Sequence, residues 1–216
     1  SGLSDDRVKA VGNGIDLEFY GSPDVKPEGL ANGGRLILFT GQMDYQPNVQ
    51  AVQSFSHQVM PDILALFPDA RFVIVGRSPT GDVRQLDGKY GTVVIGAVDD
   101  IRSWIKAADV VVAPLRIARG IQNKVLEAMT MAKPVVASGC AAEGIDANSG
   151  EHLLIAESVD EEAHLVCELL KDPERGRRLG EQAKRLIHSH YSWGHQLSAL
   201  PALCGLAESV VAEVAA

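Results

Sequence analysis

Six short apolar runs set the fold that this chain can adopt. They are continuous rather than alternating, which is typical of strands covered on both faces of a parallel sheet. Segments of helical periodicity separate them, so the chain reads as successive βα units with right-handed crossovers. We therefore predict an α/β fold, a doubly wound parallel sheet with helices on both faces. The predicted strands are 35–41, 70–77, 92–98, 109–115, 134–138 and 151–156.

The intervening helices are predicted from capping residues and apolar spacing. Asn48 is expected to cap the first long helix, and Pro61 should bend or break it because proline lacks the amide proton. Asp99 or Asp100 should cap a later helix, and Ser158 and Pro173 should open two more. The predicted helices are 48–67, a segment after 100, 121–131, a segment after 158, a segment after 173, and 195–214 with an interruption at 201.

The segment Asp109–Ser138 carries the most informative charge pattern. No acidic residue lies between Asp109 and Glu127, whereas three cations do: Arg116, Arg119 and Lys124. With a helix beginning just after Gly120, two of them lie at its positive end, which is unfavourable by a few tenths to about 1 kcal/mol each. No Ser, Thr or Asp is placed to cap the first amides. Free amides and misplaced cations together predict a bound anion at this helix start.

Composition narrows the class of protein. The chain has 216 residues and a formal net charge of −8, which argues against a general nucleic-acid binder. The three cysteines fit reduced thiols in a cytosolic protein, since their spacing matches no zinc site: Cys140, Cys167 and Cys204. No apolar run approaches the roughly 18 residues of a spanning helix, and no signal peptide is visible. The chain opens at Ser1, so we expect a fragment or processed product.

Several segments resemble the C-terminal, donor-binding domain of GT-B glycosyltransferases of family four, the group 1 enzymes. They are VGNGIDLEFY, LFTGQMDYQPNVQ, ARFVIVGR, VVIGAVDDIRSWIKAADVVVAPLRIARGIQNKVLEAMTMAKPVVAS and HYSW. The sequences of these segments are similar to those of sugar transferases of bacterial exopolysaccharide clusters. The resemblance extends from Val11 to Trp193. It implies a Rossmann-like donor domain over 35–190, after a linker or approach segment over 1–34. Residues 191–216 would form a helix crossing to an N-terminal acceptor domain that this chain lacks.

The resemblance implies a role for each matching residue. Glu127 matches the second glutamate of the family's Glu-x₇-Glu motif and would bind the donor's ribose hydroxyls, while Lys124 would line the diphosphate. Backbone amides at the helix start would meet the phosphates, and the backbone of Val98 would meet the base. Residues that follow strands should border the same site. The remaining expected binding residues are Gly41, Gly76, Arg77, Gly120, Ile121 and Gln122.

The sequence departs from the family pattern at two places. The first glutamate of the motif is replaced by Arg119, and the loop QMDYQPN after the first strand contains no basic residue. We therefore expect Arg119 and Lys124 to meet the phosphate charge, which gives Arg119, Lys124 and Glu127 as the expected catalytic residues.

The implied activity is transfer of a glycosyl group from a nucleoside diphosphate sugar to an acceptor hydroxyl. Retention at the anomeric carbon is expected, with no cofactor and no metal ion. The expected partners are the nucleotide sugar, the missing acceptor domain, and an acceptor sugar or lipid-linked glycan, but no nucleic acid. The expected location is the cytoplasm, at the inner face of the membrane through peripheral association of the missing half. The fragment alone is expected to be inactive.

Other interpretations remain open at this point. A nucleotide-sugar epimerase-like or phosphorylase-like enzyme shares the fold, and a degenerate, non-catalytic nucleotide-binding module would explain Arg119. Lys124 and Glu127 could instead form a surface ion pair at helical spacing. Arg77 and Arg119 could be ordinary solvated residues. Three histidines cluster near the C-terminus, where a metal site is an outside alternative: His188, His190 and His195.

Overall fold

A six-stranded sheet with all strands parallel forms the centre of the protein. The structure, a computed structural model, describes residues 11–21 and 34–204. The strands follow the order β3-β2-β1-β4-β5-β6, and helices cover both faces of the sheet. This confirms the predicted doubly wound α/β fold. The strands are β1 Leu36–Thr40, β2 Arg71–Val75, β3 Thr92–Gly96, β4 Val110–Ala113, β5 Val135–Ser138 and β6 Leu154–Ala156.

Helices connect each strand to the next and close the chain. Those packed around the sheet include α2 Gln46–Ser54, α3 Met60–Leu66, α5 Arg102–Ala107, α6 Asn123–Thr130, α8 Val159–Lys171 and α9 Pro173–His190. Short helices are α1 Leu17–Gly21, α4 Gly81–Arg84, α7 Gly139–Ala142, α10 Trp193–Gln196 and α11 Leu200–Leu203. Ser158 accepts from the amide of Glu161 as predicted, and Pro173 opens α9.

The central strands are covered on both faces, as their continuous apolar sequences require. Every residue of β1, β4 and β5 is buried. β1 pairs with β2 from Leu36↔Arg71 to Thr40↔Val75, and with β4 at Ile37↔Val110. The strands therefore bring their carboxyl ends to one edge of the sheet.

The predicted first helix differs from the observed one at both its start and its middle. It begins at Gln46, so Asn48 is not the cap; Asn48 is buried and uses its side chain elsewhere. A π-helical turn, Phe55–Val59, precedes Pro61 and separates α2 from α3. The interruption lies where Pro61 predicted it, because proline cannot donate to the preceding turn.

Three other predicted helix boundaries are corrected. The helix of the Asp109–Ser138 segment begins at Asn123 rather than just after Gly120. Asp100 accepts from the amide of Arg102, the first residue of α5, although Ile101 is the residue at the cap position. The prediction of a final helix over 195–214, interrupted at 201, is wrong in its described part, where α10 and α11 are two separate short helices. Residues 205–216 lie outside the described part of the chain.

The described part of the approach segment packs against the domain that follows it. Ile15 is buried and its amide donates to the carbonyl of Tyr191 at 2.7 Å. α1 packs on α6. The described segments 11–21 and 191–204 therefore meet beside α6, while the division of the chain into domains stays a prediction. Within the described residues, no helix is both long and apolar enough to cross a membrane.

Candidate functional site

A cleft of about 690 Å³ lies beyond the carboxyl ends of the central strands. β1 leads to β2 on one side and neighbours β4 on the other, so the strand order reverses here. Ligands of doubly wound sheets bind at this switch in order. Eight residues singled out from the sequence line the cleft: Gly41, Gly76, Arg77, Val98, Ile121, Gln122, Lys124 and Glu127.

Two glycines make the floor of the cleft. A Cβ atom on Gly76 would lie 1.6 Å from the carbonyl oxygen of Gly41, so only glycine permits this approach of the two strand ends. A Cβ atom on Gly41 would lie 2.8 Å from Asn48 Nδ2 and 3.1 Å from Lys124 Nζ. Bare backbone therefore faces the cleft directly beneath the lysine.

The start of α6 borders the cleft without a side-chain cap. Gln122 occupies the cap position in an extended conformation, and its side chain makes no hydrogen bond to the first-turn amides. It donates instead to the carbonyl of Gly120 at 3.1 Å. The prediction of an uncapped helix start is confirmed, and its partial positive charge is directed to the cleft wall that contains Gln122 and Asn123.

Lys124 is the cation held most closely over the floor. Its Nζ donates to Asn48 Oδ1 at 2.6 Å and lies 4.1 Å from the centre of the Phe39 ring. Asn48 is fixed in turn by donating to the carbonyl of Gln42 at 2.9 Å. Burial lowers the pKa of Lys124 to about 7, although the Glu127 carboxylate opposes the shift. A bound anion would restore the charge that burial disfavours.

Glu127 lies one turn further along α6. Burial raises the pKa of its carboxyl group, and the Tyr20 hydroxyl and the Lys124 ammonium oppose that rise. Tyr20 lines a small cavity together with Glu127. Lys124 and Glu127 do not make the surface pair that their spacing allows, because the ammonium binds Asn48 and the two charges interact only through space.

The other predicted cations are placed differently. Arg77 lines the cleft, where its guanidinium donates to Gln42 Oε1 at 3.0 Å. Arg119 is exposed, and neither it nor Gly120 belongs to the lining of this cleft. Arg116 forms an ion pair with the buried Glu162, whose nearest carboxylate oxygen lies 3.1 Å away. The phosphate role expected of Arg119 thus gains no support from the cleft, whose positive charge comes from Lys124 and Arg77.

Two contributors to the site are not apparent from the sequence. Asn48 has the local signal of a helix cap, but it lies in α2, after the loop that follows β1, and it lines the cleft. Tyr20 belongs to the approach segment and carries no local signal of a site, since only the fold brings it to Glu127. Within residues 11–21 and 34–204, no group of three or more His, Cys, Asp or Glu side chains is arranged to hold a metal ion.

Comparison with known proteins agrees with this fold. Residues 34–172 match the family described as "Glycosyl transferases group 1". The phosphatidyl-myo-inositol mannosyltransferase of Mycobacterium tuberculosis (strain CDC 1551 / Oshkosh) is 32% identical over 143 residues, which is 63% of this chain and 36% of that protein. The chain spans well under two thirds of the length of the curated relatives it matches, from 36% to 58%.

Two solved structures share the fold. The C-terminal domain of the group 1 glycosyl transferase LpcC from Francisella tularensis has a TM-score of 0.65 at 19% identity, covering 83% of this chain and all of that one. Alr3699/HepE from Anabaena, in complex with UDP and glucose, has a TM-score of 0.71 at 15% identity, covering 94% of this chain and 58% of that one. The family match covers well over half of the sequence, and the chain therefore belongs to the group 1 glycosyl transferases.

Proposed function

We propose that this chain is the donor-binding part of a glycosyltransferase that moves a glycosyl group from a nucleoside diphosphate sugar to an acceptor hydroxyl. The observation that carries the proposal is the buried Lys124 ammonium. It is held by Asn48 above the Gly41–Gly76 floor, beside the uncapped start of α6. The Lys124 ammonium, the free amides at the start of α6 and the glycine backbone of the floor all border the same part of the cleft, which suits a diphosphate.

The arrangement suits the charge change of glycosyl transfer. When the bond between the anomeric carbon and the phosphate oxygen breaks, the nucleoside diphosphate leaves with increased negative charge. Lys124 and the amides of Asn123 and Lys124 would stabilise that charge from fixed positions, which costs no reorganisation during the reaction. Glu127 would accept hydrogen bonds from the ribose hydroxyls and so fix the donor's register. We propose that transfer proceeds with retention and without a metal ion or other cofactor.

The identity of the family points to the donor and the setting. Because the curated relative described above is a mannosyltransferase that acts on a phosphatidylinositol lipid, a mannosyl donor is the first to test. The acceptor would be a glycolipid or a growing glycan, contacted by a second domain. Cytoplasmic location, with peripheral attachment at the membrane, belongs to the same proposal.

Calorimetric titration with GDP and UDP tests the proposal. We expect the 216-residue chain to bind at least one of them. Lys124→Met should weaken binding by about 1.5–3 kcal/mol, roughly 10- to 100-fold, because a hydrogen bond to a charged group is lost. Lys133→Met is the matched control, since Lys133 is also half-buried, donates to one carbonyl at 2.8 Å, and lies away from this cleft. Folded protein that binds neither nucleotide would contradict the proposal.

A second candidate, a non-catalytic nucleotide-binding module, is favoured by one observation. Arg119 replaces the family's first glutamate and lies exposed outside the cleft lining. Transfer assays on the full-length protein with Arg119→Glu distinguish the two. Loss of transfer in this variant assigns Arg119 a role in catalysis, whereas transfer that is absent in the natural protein and gained with glutamate indicates a decayed site.

A further inference from the structure

A buried carboxylate on α8 lies beside a loop that enters the cleft. This β4–α6 loop, residues 114–122, contributes Ile121 and Gln122 to the cleft lining. The side chain of Glu162 is 2% exposed, and one of its carboxylate oxygens lies 3.1 Å from the Arg116 guanidinium of the loop. On the basis of the function proposed above, we propose that Glu162 is a positioning residue. Through Arg116 it holds the β4–α6 loop so that the start of α6 meets the donor's diphosphate.

The cap of α8 is provided by residues other than Glu162. Ser158 occupies the cap position and accepts from the amide of Glu161 at 3.2 Å. The Glu161 carboxylate in turn accepts from the amide of Glu157 at 2.8 Å. The first turn of α8 is thus capped without Glu162, whose side chain is buried instead.

The buried position of Glu162 is unfavourable for stability. Both carboxylate oxygens are buried, and within the described residues neither has a hydrogen-bonding partner. Burial raises the pKa of the carboxyl group to about 7, and the Arg116 guanidinium opposes the rise. Because 39% of the Arg116 side chain is exposed, the ion pair recovers only part of the cost of burying the charge. A role in fixing the β4–α6 loop, rather than in stabilising the fold, accounts for a carboxylate buried here.

The β4–α6 loop has a fixed first part and an exposed second part. Ser138, at the end of β5, donates from its hydroxyl to the carbonyl of Leu115 at 2.5 Å. Arg116 follows directly, and three of the next four residues, 117–120, are exposed. The ion pair between Arg116 and Glu162 therefore lies at the boundary between the two parts. A change in the position of Arg116 is passed through the exposed part to the cap position of α6.

The test compares the natural chain with Glu162→Gln, which removes the charge and keeps the size of the side chain. Calorimetric titrations use GDP or UDP, whichever the natural chain binds, at about pH 7.5, where the carboxyl group is mostly ionised. We expect Glu162→Gln to weaken binding roughly 3- to 30-fold, the range for residues that act without contacting the ligand. The temperature of thermal unfolding should stay equal or rise, because a costly buried charge is removed. A merely structural role would lower stability and affinity together.

Variants of Arg116 show whether Glu162 acts through it. Arg116→Met should weaken nucleotide binding to a similar extent. The double variant Arg116→Met/Glu162→Gln should bind no more weakly than either single variant, because both changes break the same ion pair. Arg116→Lys keeps the cation and should retain most of the natural affinity. Losses that add in the double variant, or a loss in Arg116→Lys equal to that in Arg116→Met, overturn the proposal.

Glu168→Gln is the matched control. Glu168 lies on the same helix and pairs at 2.8 Å with Arg175, whose side chain is 40% exposed, but it does not line the cleft. This variant should bind the nucleotide as the natural chain does. An equal loss of affinity in Glu168→Gln and Glu162→Gln, or a change of less than about twofold in Glu162→Gln, overturns the role of Glu162.

Amide hydrogen exchange in the ligand-free chain reports on the β4–α6 loop without any nucleotide. Exchange of residues 115–124 should be faster in Glu162→Gln than in the natural chain and unaltered in Glu168→Gln. Equal exchange in the natural chain and Glu162→Gln overturns the proposal. If the natural chain binds neither nucleotide, the proposed function is refuted, and the exchange rates alone decide whether Glu162 holds the loop.

Discussion

The proposed binding of a nucleotide is expected to depend on pH, in a direction set by the half-buried Lys124. In the free protein the pKa of its ammonium is lowered to about 7 from the ordinary 10.5. A diphosphate beside the ammonium favours the charged form and raises the pKa again. The bound state therefore holds more protons than the free state above about pH 7, and affinity must fall as pH rises through that range.

The size of the effect follows from the fraction of protonated lysine. With a free pKa of about 7, the charged fraction falls from one half at pH 7 to about 1% at pH 9, so affinity should fall roughly 50-fold over that interval. The terminal phosphate of a nucleoside diphosphate loses its second proton near pH ~6, so the ligand's own titration contributes little above pH ~7. At about pH 8, binding should take up close to 0.9 proton per nucleotide.

Calorimetry in buffers of different ionisation enthalpy measures both the affinity at each pH and the number of protons taken up on binding. Lys124→Met should bind weakly with little pH dependence, and Lys133→Met should behave as the natural chain does. Affinity that is constant from about pH 7 to pH 9 in the natural chain would refute the reasoning. So would an unchanged slope in Lys124→Met, because the proton would then belong to another group.

Two further predictions concern stability. Gly76→Ala should destabilise the fold by more than ~2 kcal/mol in thermal unfolding and abolish nucleotide binding, because its Cβ would lie 1.6 Å from the Gly41 carbonyl oxygen. The control Gly81→Ala should be tolerated, because a Cβ at Gly81 would meet no atom within 4 Å. Equal losses of stability in the two variants would contradict the account. Burial raises the pKa of Glu162 from 4.5 to about 7, although Arg116 opposes the rise. Because the unfolded chain ionises this carboxyl group at the lower pKa, the free energy of unfolding falls as the pH rises from 4.5 to about 7. Denaturant unfolding of Glu162→Gln should therefore depend less on pH in that window, by up to roughly 3 kcal/mol, and an unaltered dependence would show that Glu162 is not the group responsible.

The sheet could be predicted from the sequence because parallel strands are covered on both faces and leave continuous apolar runs. β1, β4 and β5 are buried throughout, and their runs are unambiguous in the sequence. Helix ends were less predictable. Tyr45 occupies the cap position of α2 and makes no side-chain capping hydrogen bond, so the sequence has no capping signal there and predicts Asn48 as the cap instead. Pro61 did mark the interruption of the helix, since its missing amide proton acts locally.

The candidate site, too, could be predicted from the sequence only in part. Lys124 could be predicted from the anomalous charge pattern at the start of α6, whereas the resemblance to the family motif implied Glu127. The partners that give them their properties could not be predicted, since Asn48 and Tyr20 are distant in sequence and meet them only in the folded chain. Arg119 looked equivalent to Lys124 in sequence, but it precedes the helix and remains exposed. Local charge thus predicts an anionic ligand, and tertiary contacts decide which cation lines the cleft.

A crystal structure of this chain with a bound nucleoside diphosphate sugar tests the central claim most directly. The account predicts the diphosphate above the Gly41–Gly76 floor, within hydrogen-bonding distance of Lys124 Nζ and the first amides of α6, with the ribose hydroxyls at the Glu127 carboxylate. A nucleotide bound elsewhere on the chain, or bound in this cleft with its diphosphate turned away from Lys124, would contradict it.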